Sequence, residues 1–342
     1  MRRGGLAMVL ALAAAGAVRG GGVEIYVIED TGFFTQPGIS QGTLGKLSPS
    51  NPAAVTIVGN VGDQFNYGGI DFRPGTPAAD GFYGFENTTN SVRKLGLTGG
   101  QSLIDSVGHV DSGIAGVTFS NDGSLIYCAG NANGFGRIMV ADAATGELVS
   151  LHDFVNVSIG ALATVPAGAG LPYTPGEIWG VVNTTTGVQL QRFNLTDNTR
   201  VVVGAVLGIG FNAAFESGLD WAPDGTLYAA FQGTRFVGGE PVAVSSHLYT
   251  VNPANAQATN LGPIQFDGAW DASSICVVPA PPPSCPGDAN GDGLINAADL
   301  SVLLANFGTT TNGGASSGDF NKDGEVNGAD LSVLLSQFGG SC

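Results

Sequence analysis

Basic residues and histidines are scarce in this chain. Only 12 Lys and Arg stand against 28 Asp and Glu, and the formal net charge is −16. So acidic a chain repels nucleic acid and anionic membrane surfaces and attracts cations, and we expect no nucleic-acid partner. The histidines His109, His152 and His247 stand far apart and form no HExxH or comparable pair, which argues against a catalytic zinc site.

Long hydrophobic runs are missing beyond the start of the chain. Arg2 and Arg3 precede an apolar run over residues 6–18 and small residues before Gly20, which is the pattern of a secretory signal peptide. That run is too short to cross a bilayer, and no second run of membrane length follows. We therefore predict a signal peptide at residues 1–20, a secreted location that is extracellular or at the cell surface, and no membrane span.

Cysteine is limited to Cys128, Cys276, Cys285 and Cys342. No CxxC pair occurs, so the cysteines give little support to a metal site. Secreted proteins retain disulfides, and Cys285 and Cys342 flank the last segment of the chain. We predict that these two pair, which would contribute about 4 kcal/mol by restricting the unfolded chain. Whether Cys128 and Cys276 also pair stays open.

Glycine, in contrast, is abundant at 55 residues. An apolar strand, a tight turn and a second strand recur along the chain, and Asp-Gly pairs such as Asp122-Gly123 and Asp224-Gly225 mark the turns. A further strand follows each copy, and its apolar anchors, 45 to 58 residues apart, are Leu47, Leu95, Val140, Phe193 and Val251. Four strands fit this period, which is typical of a β-propeller blade.

The two ends of the repeat region complement each other. The segment from Val23 resembles the second strand of a repeat, and the segment from Gly268 resembles the missing first strand. Joining both ends in one blade gives five blades and removes exposed sheet edges. We therefore predict a five-bladed β-propeller at residues 23–278, with a β-sandwich or two small β domains as the alternative. A proline-rich linker at residues 279–286 follows.

Two copies of one sequence, residues 287–308 and 318–339, follow the linker, and 15 of their 22 positions are identical. Each copy starts with a twelve-position loop that places oxygen ligands at alternate positions, as calcium requires, and glycine at the sharp turn of position six. The predicted ligands of the two Ca²⁺ ions are Asp288, Asn290, Asp292, the Leu294 carbonyl, Asn296 and Asp299 in the first loop, and Asp319, Asn321, Asp323, the Glu325 carbonyl, Asn327 and Asp330 in the second. Because each loop gathers three carboxylates, we expect this segment to fold only with calcium.

A short amphipathic helix is predicted after each loop. Its apolar residues recur at i, i+3, i+4 and i+7, namely Leu300, Leu303, Leu304 and Phe307 in the first copy and Leu331, Leu334, Leu335 and Phe338 in the second. Neither helix is stable alone. We therefore expect the two apolar faces to pack against each other as a small core.

Position twelve of both loops is Asp and not the Glu of an EF-hand. A duplicated loop with one following helix, this Asp and a Leu-x-x-Leu-Leu pattern resembles the type I dockerin family, over residues 287–342. The resemblance implies an all-α calcium-binding module that docks to a cohesin-type partner, often in polysaccharide-degrading assemblies. Many dockerins carry hydroxyl side chains at positions ten and eleven, where this chain has Ala297-Ala298 and Gly328-Ala329. Another surface protein, or an intramolecular partner, is therefore an alternative.

The chain as a whole is thus predicted to be mainly β, with a five-bladed β-propeller followed by a small all-α dockerin module. We favour a non-catalytic propeller that binds a ligand, glycan or protein. The alternative is a glycoside hydrolase or lyase in polysaccharide catabolism, since hydrolysis needs only two carboxylates. The candidates Asp71, Asp220 and Asp271 lie in predicted inner strands, where they could instead cap strands or turns. Convergence of the three within about 10 Å in an acidic pocket would favour the enzyme.

Overall fold

The protein is described here from a computed structural model. The described residues are 23–28, 42–61, 67–75, 81–87, 91–96, 101–106, 114–132, 135–168, 170–184, 187–209, 213–237, 240–265, 272, 274–279, 286–290, 294–311 and 314–340. All structural statements below concern these residues.

Strands dominate the described residues and form five four-stranded antiparallel sheets. In chain order they are β1 (Val23–Ile28), β2 (Thr43–Ser48), β3 (Asn51–Asn60), β4 (Tyr67–Phe72), β5 (Phe82–Glu86), β6 (Ser91–Leu95), β7 (Gln101–Ser106), β8 (Ile114–Phe119), β9 (Leu125–Ala132), β10 (Phe135–Asp142), β11 (Leu148–Val155), β12 (Ser158–Thr164), β13 (Ile178–Thr184), β14 (Gly187–Asn194), β15 (Thr199–Ala205), β16 (Ala213–Trp221), β17 (Leu227–Val237), β18 (Glu240–Val251), β19 (Ala258–Pro263) and β20 (Ser274–Pro279). Four sheets contain consecutive strands: blade 1 contains β4 to β7, blade 2 contains β8 to β11, blade 3 contains β12 to β15, and blade 4 contains β16 to β19. The predicted five-bladed β-propeller is confirmed.

Blade 5 combines strands from both ends of the repeat region. Its strand order is β20-β1-β2-β3, so its first strand comes from the end of the region and the other three from the start. In the antiparallel register Tyr26 lies opposite Cys276, and Ile25 lies opposite Leu47. The ring is therefore closed by hydrogen bonds between β1 and β20.

The Asp-Gly turns have the conformation that their sequence requires. Gly123 and Gly225 adopt positive φ angles of 68° and 87°, which glycine reaches without steric cost. The preceding aspartates fix the turns, because Asp122 accepts a hydrogen bond from the Ser124 N–H at 3.0 Å and Asp224 one from the Thr226 N–H at 2.9 Å.

The hydrophobic core is divided into five parts, each between two neighbouring blades. Aromatic pairs cross four of these interfaces, with ring centroids 4.9 to 5.7 Å apart: Tyr26–Phe82, Tyr83–Phe119, Phe154–Phe193 and Trp179–Trp221. Edge-to-face and tilted pairs at these distances contribute beyond simple burial. Adjacent blades are thus held mainly by side chains from facing sheets.

Glycine lets the innermost strands approach each other around the centre. A Cβ atom on Gly116 would lie 2.6 Å from the Leu162 nitrogen of the next blade, and one on Gly218 would lie 2.5 Å from the Ile275 nitrogen. Such distances are below any real contact, so only glycine fits these positions. The backbones of neighbouring inner strands therefore lie in direct contact.

The C-terminal module contains α1 (Ala297–Ala305), a short 3₁₀ helix (Gly314–Ser317) and α2 (Gly328–Gln337). Its small core is built from Ala289, Ile295, Leu303, Phe320, Val326 and Leu334, with Leu300 and Leu331 packed partly against it. The expectation that each whole apolar face would be buried is wrong. Leu304, Phe307, Leu335 and Phe338 are 47 to 58% exposed, because two short helices cross at one leucine each and cannot cover the rest.

The structure describes only one of the two possible cysteine pairs. Cys128 and Cys276 are free, buried thiols in different interblade cores, so they do not pair with each other. The predicted partners Cys285 and Cys342 lie outside the described residues, as does the predicted signal peptide at residues 1–20. Among the described helices, none has the length and apolar character to cross a membrane.

Candidate functional site

The second calcium loop brings its predicted carboxylates together. Oxygen atoms of Asp319, Asp323 and Asp330 all lie within 4.8 Å of one another. Calcium binds oxygen at about 2.3–2.6 Å, so two ligand oxygens around one ion lie at most about twice that distance apart. Gly324 at position six has a φ of 91°, and its N–H donates to Asp319 Oδ2 at 3.1 Å. The donor set and its spacing fit Ca²⁺.

The aspartate at position twelve has two tasks in each loop. Asp330 Oδ1 accepts hydrogen bonds from the N–H groups of Phe320 and Asn321 at 2.8 and 3.1 Å, and its Oδ2 accepts from Asn327 at 2.8 Å. The last bond belongs to a capping box at the start of α2, with Asn327 as the N-cap. Asp330 is fully buried, yet a carboxylate has lone pairs left for a metal ion. The position therefore closes the loop and starts the helix.

The first loop repeats this arrangement. Asp299 accepts from the N–H groups of Ala289, Asn290 and Asn296 at 2.8, 3.3 and 2.8 Å. Burial acts to raise the pKa of Asp299, but the backbone donors outweigh it and the pKa is lowered. The carboxylate is thus kept ionised, as a calcium ligand must be.

The remaining predicted ligands sit around these aspartates. Asn296 and Asn327 use their side-chain oxygens as helix caps, accepting from Ala298 and Ala329 at 2.7 Å, which suits a water-mediated role at position nine. Asn321 accepts from the Asp323 N–H at 2.9 Å. The structure also describes four further predicted ligand positions in the two loops, namely Asp288, Asn290, Leu294 and Glu325. Asp292 lies outside the described residues.

The two loops exchange backbone hydrogen bonds with the opposite repeat. Ile295 in the first loop donates to the Gly340 carbonyl at 3.0 Å and accepts from the Gly339 N–H at 2.8 Å. Val326 in the second loop donates to Thr309 and accepts from Gly308, at 2.9 and 2.7 Å. The two calcium loops are therefore each joined by backbone hydrogen bonds to the end of the opposite repeat.

The propeller centre brings together two of the three candidate carboxylates. Side-chain atoms of Asp71 in β4, Asp220 in β16 and Cys276 in β20 lie within 4.8 Å of one another. Asp71 and Asp220 are only 8 and 9% exposed. Cys276 Sγ lies 3.6 Å from Asp71 Oδ1, to which it donates. Asp271 lies outside the described residues.

Both carboxylates join neighbouring blades. Asp71 Oδ2 accepts from the Phe119 N–H in blade 2 at 2.9 Å, and Asp220 Oδ2 accepts from the Val277 N–H in blade 5 at 2.6 Å. Thr118 holds the corresponding place in blade 2, where its hydroxyl accepts from the Thr164 N–H of blade 3 at 3.1 Å. In these three inner strands, one side chain thus accepts a hydrogen bond from an N–H of the next inner strand. This arrangement favours the strand-capping interpretation of the two aspartates.

Ionisation of Asp71 and Asp220 at the propeller centre is electrostatically unfavourable. Burial raises the pKa of Asp71 to about 6, and burial together with the charge of Asp71 raises the pKa of Asp220 well above its usual value. Among the described residues, no Lys or Arg forms an ion pair with either group. The sequence analysis placed Asp71 and Asp220 in inner strands that approach the centre, but it did not foresee Cys276 beside them, although the aligned positions of IDF, VTF, LDW and ICV indicate it.

Comparisons with known proteins bear mainly on the C-terminal module. Residues 286–338 match the family model of the Dockerin type I domain, and these residues form a dockerin type I domain. Dockerin domains in general bind calcium and dock to cohesins, and proteins that carry them are typically extracellular or at the cell surface. A comparison with curated proteins finds no match.

Solved structures share only a distant likeness with the chain. TolB from Acinetobacter baumannii is 15% identical with a TM-score of 0.41, over 72% of this chain and 54% of that one. A Lactobacillus plantarum protein is 11% identical with a TM-score of 0.41, over 75% and 99%. Kuenenia stuttgartiensis hydrazine synthase is 13% identical with a TM-score of 0.39, over 65% and 66%. The match thus spans about half of the TolB chain and two thirds of the synthase chain.

Proposed function

We propose that this is a secreted protein whose calcium-loaded dockerin module, residues 287–342, docks a non-catalytic propeller, residues 23–278, to a cohesin-type protein. The observation that carries the proposal is the paired loop geometry, in which Asp319, Asp323 and Asp330 converge to fit one ion and the first loop repeats the same closing aspartate. Each loop holds one Ca²⁺. The residues at 279–286 act as the linker, and a bond between Cys285 and Cys342 fastens the ends of the module.

The surface of the module supports protein docking. About half of each side chain is exposed for Leu304 and Phe307, at and after the end of α1, and for Leu335 and Phe338, at and after the end of α2. Exposed apolar groups of this size on a small calcium module are a natural contact surface for a protein partner.

Binding to an immobilised type I cohesin tests the docking function. The full chain should bind in calcium and dissociate in EDTA, and native mass spectrometry should count two ions per chain. Asp330→Asn should weaken binding strongly, whereas Asp224→Asn, an exposed turn position in the propeller, should not. The paired variant Leu304→Ser with Leu335→Ser should also lose binding, with the equally exposed Val149→Ser as its control. Equal binding with and without calcium would contradict the proposal.

Polysaccharide handling by the propeller is part of the same proposal. Its central aspartates are buried and engaged with neighbouring strands, which supports binding and not hydrolysis as the role of the propeller. Incubation with a panel of polysaccharides should give retention without released sugar. Release of sugar that Asp220→Asn abolishes would instead establish the glycoside hydrolase.

A further inference from the structure

A groove of about 550 Å³ lies on blade 3, outside the propeller centre. It is formed where β13 begins, β14 ends and β15 begins, and Tyr127 of blade 2 contributes one side. We call it the blade-3 groove. Its volume falls in the range of pockets that hold small ligands, of roughly 300–1,000 Å³.

Two arginines line this groove in a chain with few basic residues. Arg192 donates to Glu177 at 3.2 Å, and its guanidinium lies 5.8 Å from the centre of the Trp179 ring, which is fully buried. Arg200 donates to Gln191 at 2.9 Å. The cation–π contact and the ion pair hold the Arg192 guanidinium in place. The groove therefore presents two fixed cationic groups against a single carboxylate.

One donor in the groove is left without a partner. The Arg192 Nε–H is buried and finds no hydrogen-bond acceptor among the described residues. A buried donor without an acceptor is costly, and a guanidinium matches the two oxygens of a carboxylate or sulfate well. The Arg192 side chain is 35% exposed, so a ligand that brings such a group would pair with the accessible part of its guanidinium and with Arg200.

The rest of the lining suits a sugar. Asn194, Thr196 and Thr199 offer exposed amide and hydroxyl groups, and Tyr127 offers a half-buried aromatic side chain. Polar groups of this kind bind ring hydroxyls, and an aromatic side chain packs on the apolar face of a sugar ring. We propose that the blade-3 groove binds an anionic saccharide through Arg192 and Arg200. The proposal rests on the ligand-binding role given to the propeller above and names its ligand class.

Calorimetric titration of the full chain in calcium tests the proposal. The probes are a trigalacturonate, which carries carboxylates, a sulfated trisaccharide, and the uncharged maltotriose. At least one of the two acidic sugars should bind, and a comparison of their affinities shows whether the groove prefers carboxylate or sulfate. Maltotriose should bind at least about tenfold more weakly, because it lacks the charge-assisted contact. Equal binding of maltotriose, or binding of none of the three, would overturn the proposal.

Variants locate the site. Arg200→Gln and Arg192→Gln should each weaken binding about tenfold or more, and Glu177→Gln should strengthen it by releasing Arg192 from its internal partner. Arg137→Gln is the control, because Arg137 also pairs with a carboxylate, that of Asp153, but lies outside the groove. Arg200→Gln keeps the test valid if Arg192→Gln misfolds. An unchanged affinity in Arg200→Gln and Glu177→Gln would sink the assignment.

The same samples separate this proposal from the docking function. Each variant is also measured on the immobilised cohesin. Intact docking together with absent sugar binding refutes only the groove, and loss of docking together with sugar binding refutes only the docking function.

Discussion

The buried acids at the propeller centre predict that the propeller loses stability as the pH rises through the mildly acidic range. Asp71 has its pKa raised from 3.8 to about 6, chiefly by burial, so the folded state holds this proton more tightly than the unfolded state. The contribution of Asp71 is therefore most favourable below about pH 4 and falls until the pH passes about 6.

The size of this effect follows from the two pKa values. Their separation, about two pH units, corresponds to about 3 kcal/mol of unfolding free energy over the whole titration, of which about 2 kcal/mol falls between pH 4 and pH 7 because unfolded Asp71 is already largely ionised at pH 4. Asp71→Asn keeps an acceptor for the Phe119 N–H but cannot ionise. The variant should thus lack this pH-dependent term. Asp220 and the Cys276 thiol face Asp71, and removing its charge lets the pKa of Asp220 fall towards its ordinary value.

Tryptophan fluorescence during urea unfolding measures this effect in the propeller alone. The three tryptophans, Trp179, Trp221 and Trp270, all precede the dockerin module. The free energy of unfolding, wild type minus Asp71→Asn, should decrease by about 2 kcal/mol from pH 4 to pH 7 at constant calcium. Asp153→Asn is the opposite control, since its pKa is lowered by Arg137 and its contribution is lost as the pH falls. Parallel pH curves for wild type and Asp71→Asn would refute the reasoning.

Three further outcomes follow from other parts of the molecule. Removing calcium with EDTA should abolish the helical circular dichroism of the module while tryptophan fluorescence stays unchanged. Asp330→Asn should lower the calcium affinity. A change in tryptophan fluorescence on adding EDTA would contradict the expectation that only the module depends on calcium. Gly116→Ala should destabilise the propeller by about 1–3 kcal/mol in the same urea assay, because its Cβ meets backbone. A Cβ on Gly328 meets nothing within 4 Å, so Gly328→Ala should be neutral or slightly stabilising when unfolding of the module is followed by its helical circular dichroism. Cys128 and Cys276 are buried with raised pKa values, so iodoacetamide should label them only after unfolding, as peptide mass spectrometry would reveal.

The blade architecture was predictable because its signals are local. Asp122-Gly123 and Asp224-Gly225 define turns through their own backbone preferences, and a period near fifty residues allows only a few folds. The calcium loops were predictable for the same reason, since their ligands lie within twelve consecutive positions.

Features that depend on contacts between distant residues were harder to predict. Asp71 looked like a catalytic candidate, but its carboxylate binds an N–H 48 positions further along the chain. Leu304 and Leu335 fit the helical repeat of a buried face, yet a core with one fully buried leucine per helix leaves both exposed. The Asp at position twelve also completes the capping box, because its carboxylate accepts the N–H of the N-cap residue. Periodicity shows which side chains share a face and does not show what covers that face.

Closure of blade 5 by β20 also determines how tension would travel through the molecule. β20 is the last propeller strand before the dockerin module, and it pairs with β1 over six residues from Val23↔Pro279 to Ile28↔Ser274. A pull on the module would reach the propeller first at the end of β20, so the hydrogen bonds between β1 and β20 would be the first in the propeller to take the load. The strand pair that closes the ring is therefore also the one that connects the ring to the rest of the chain.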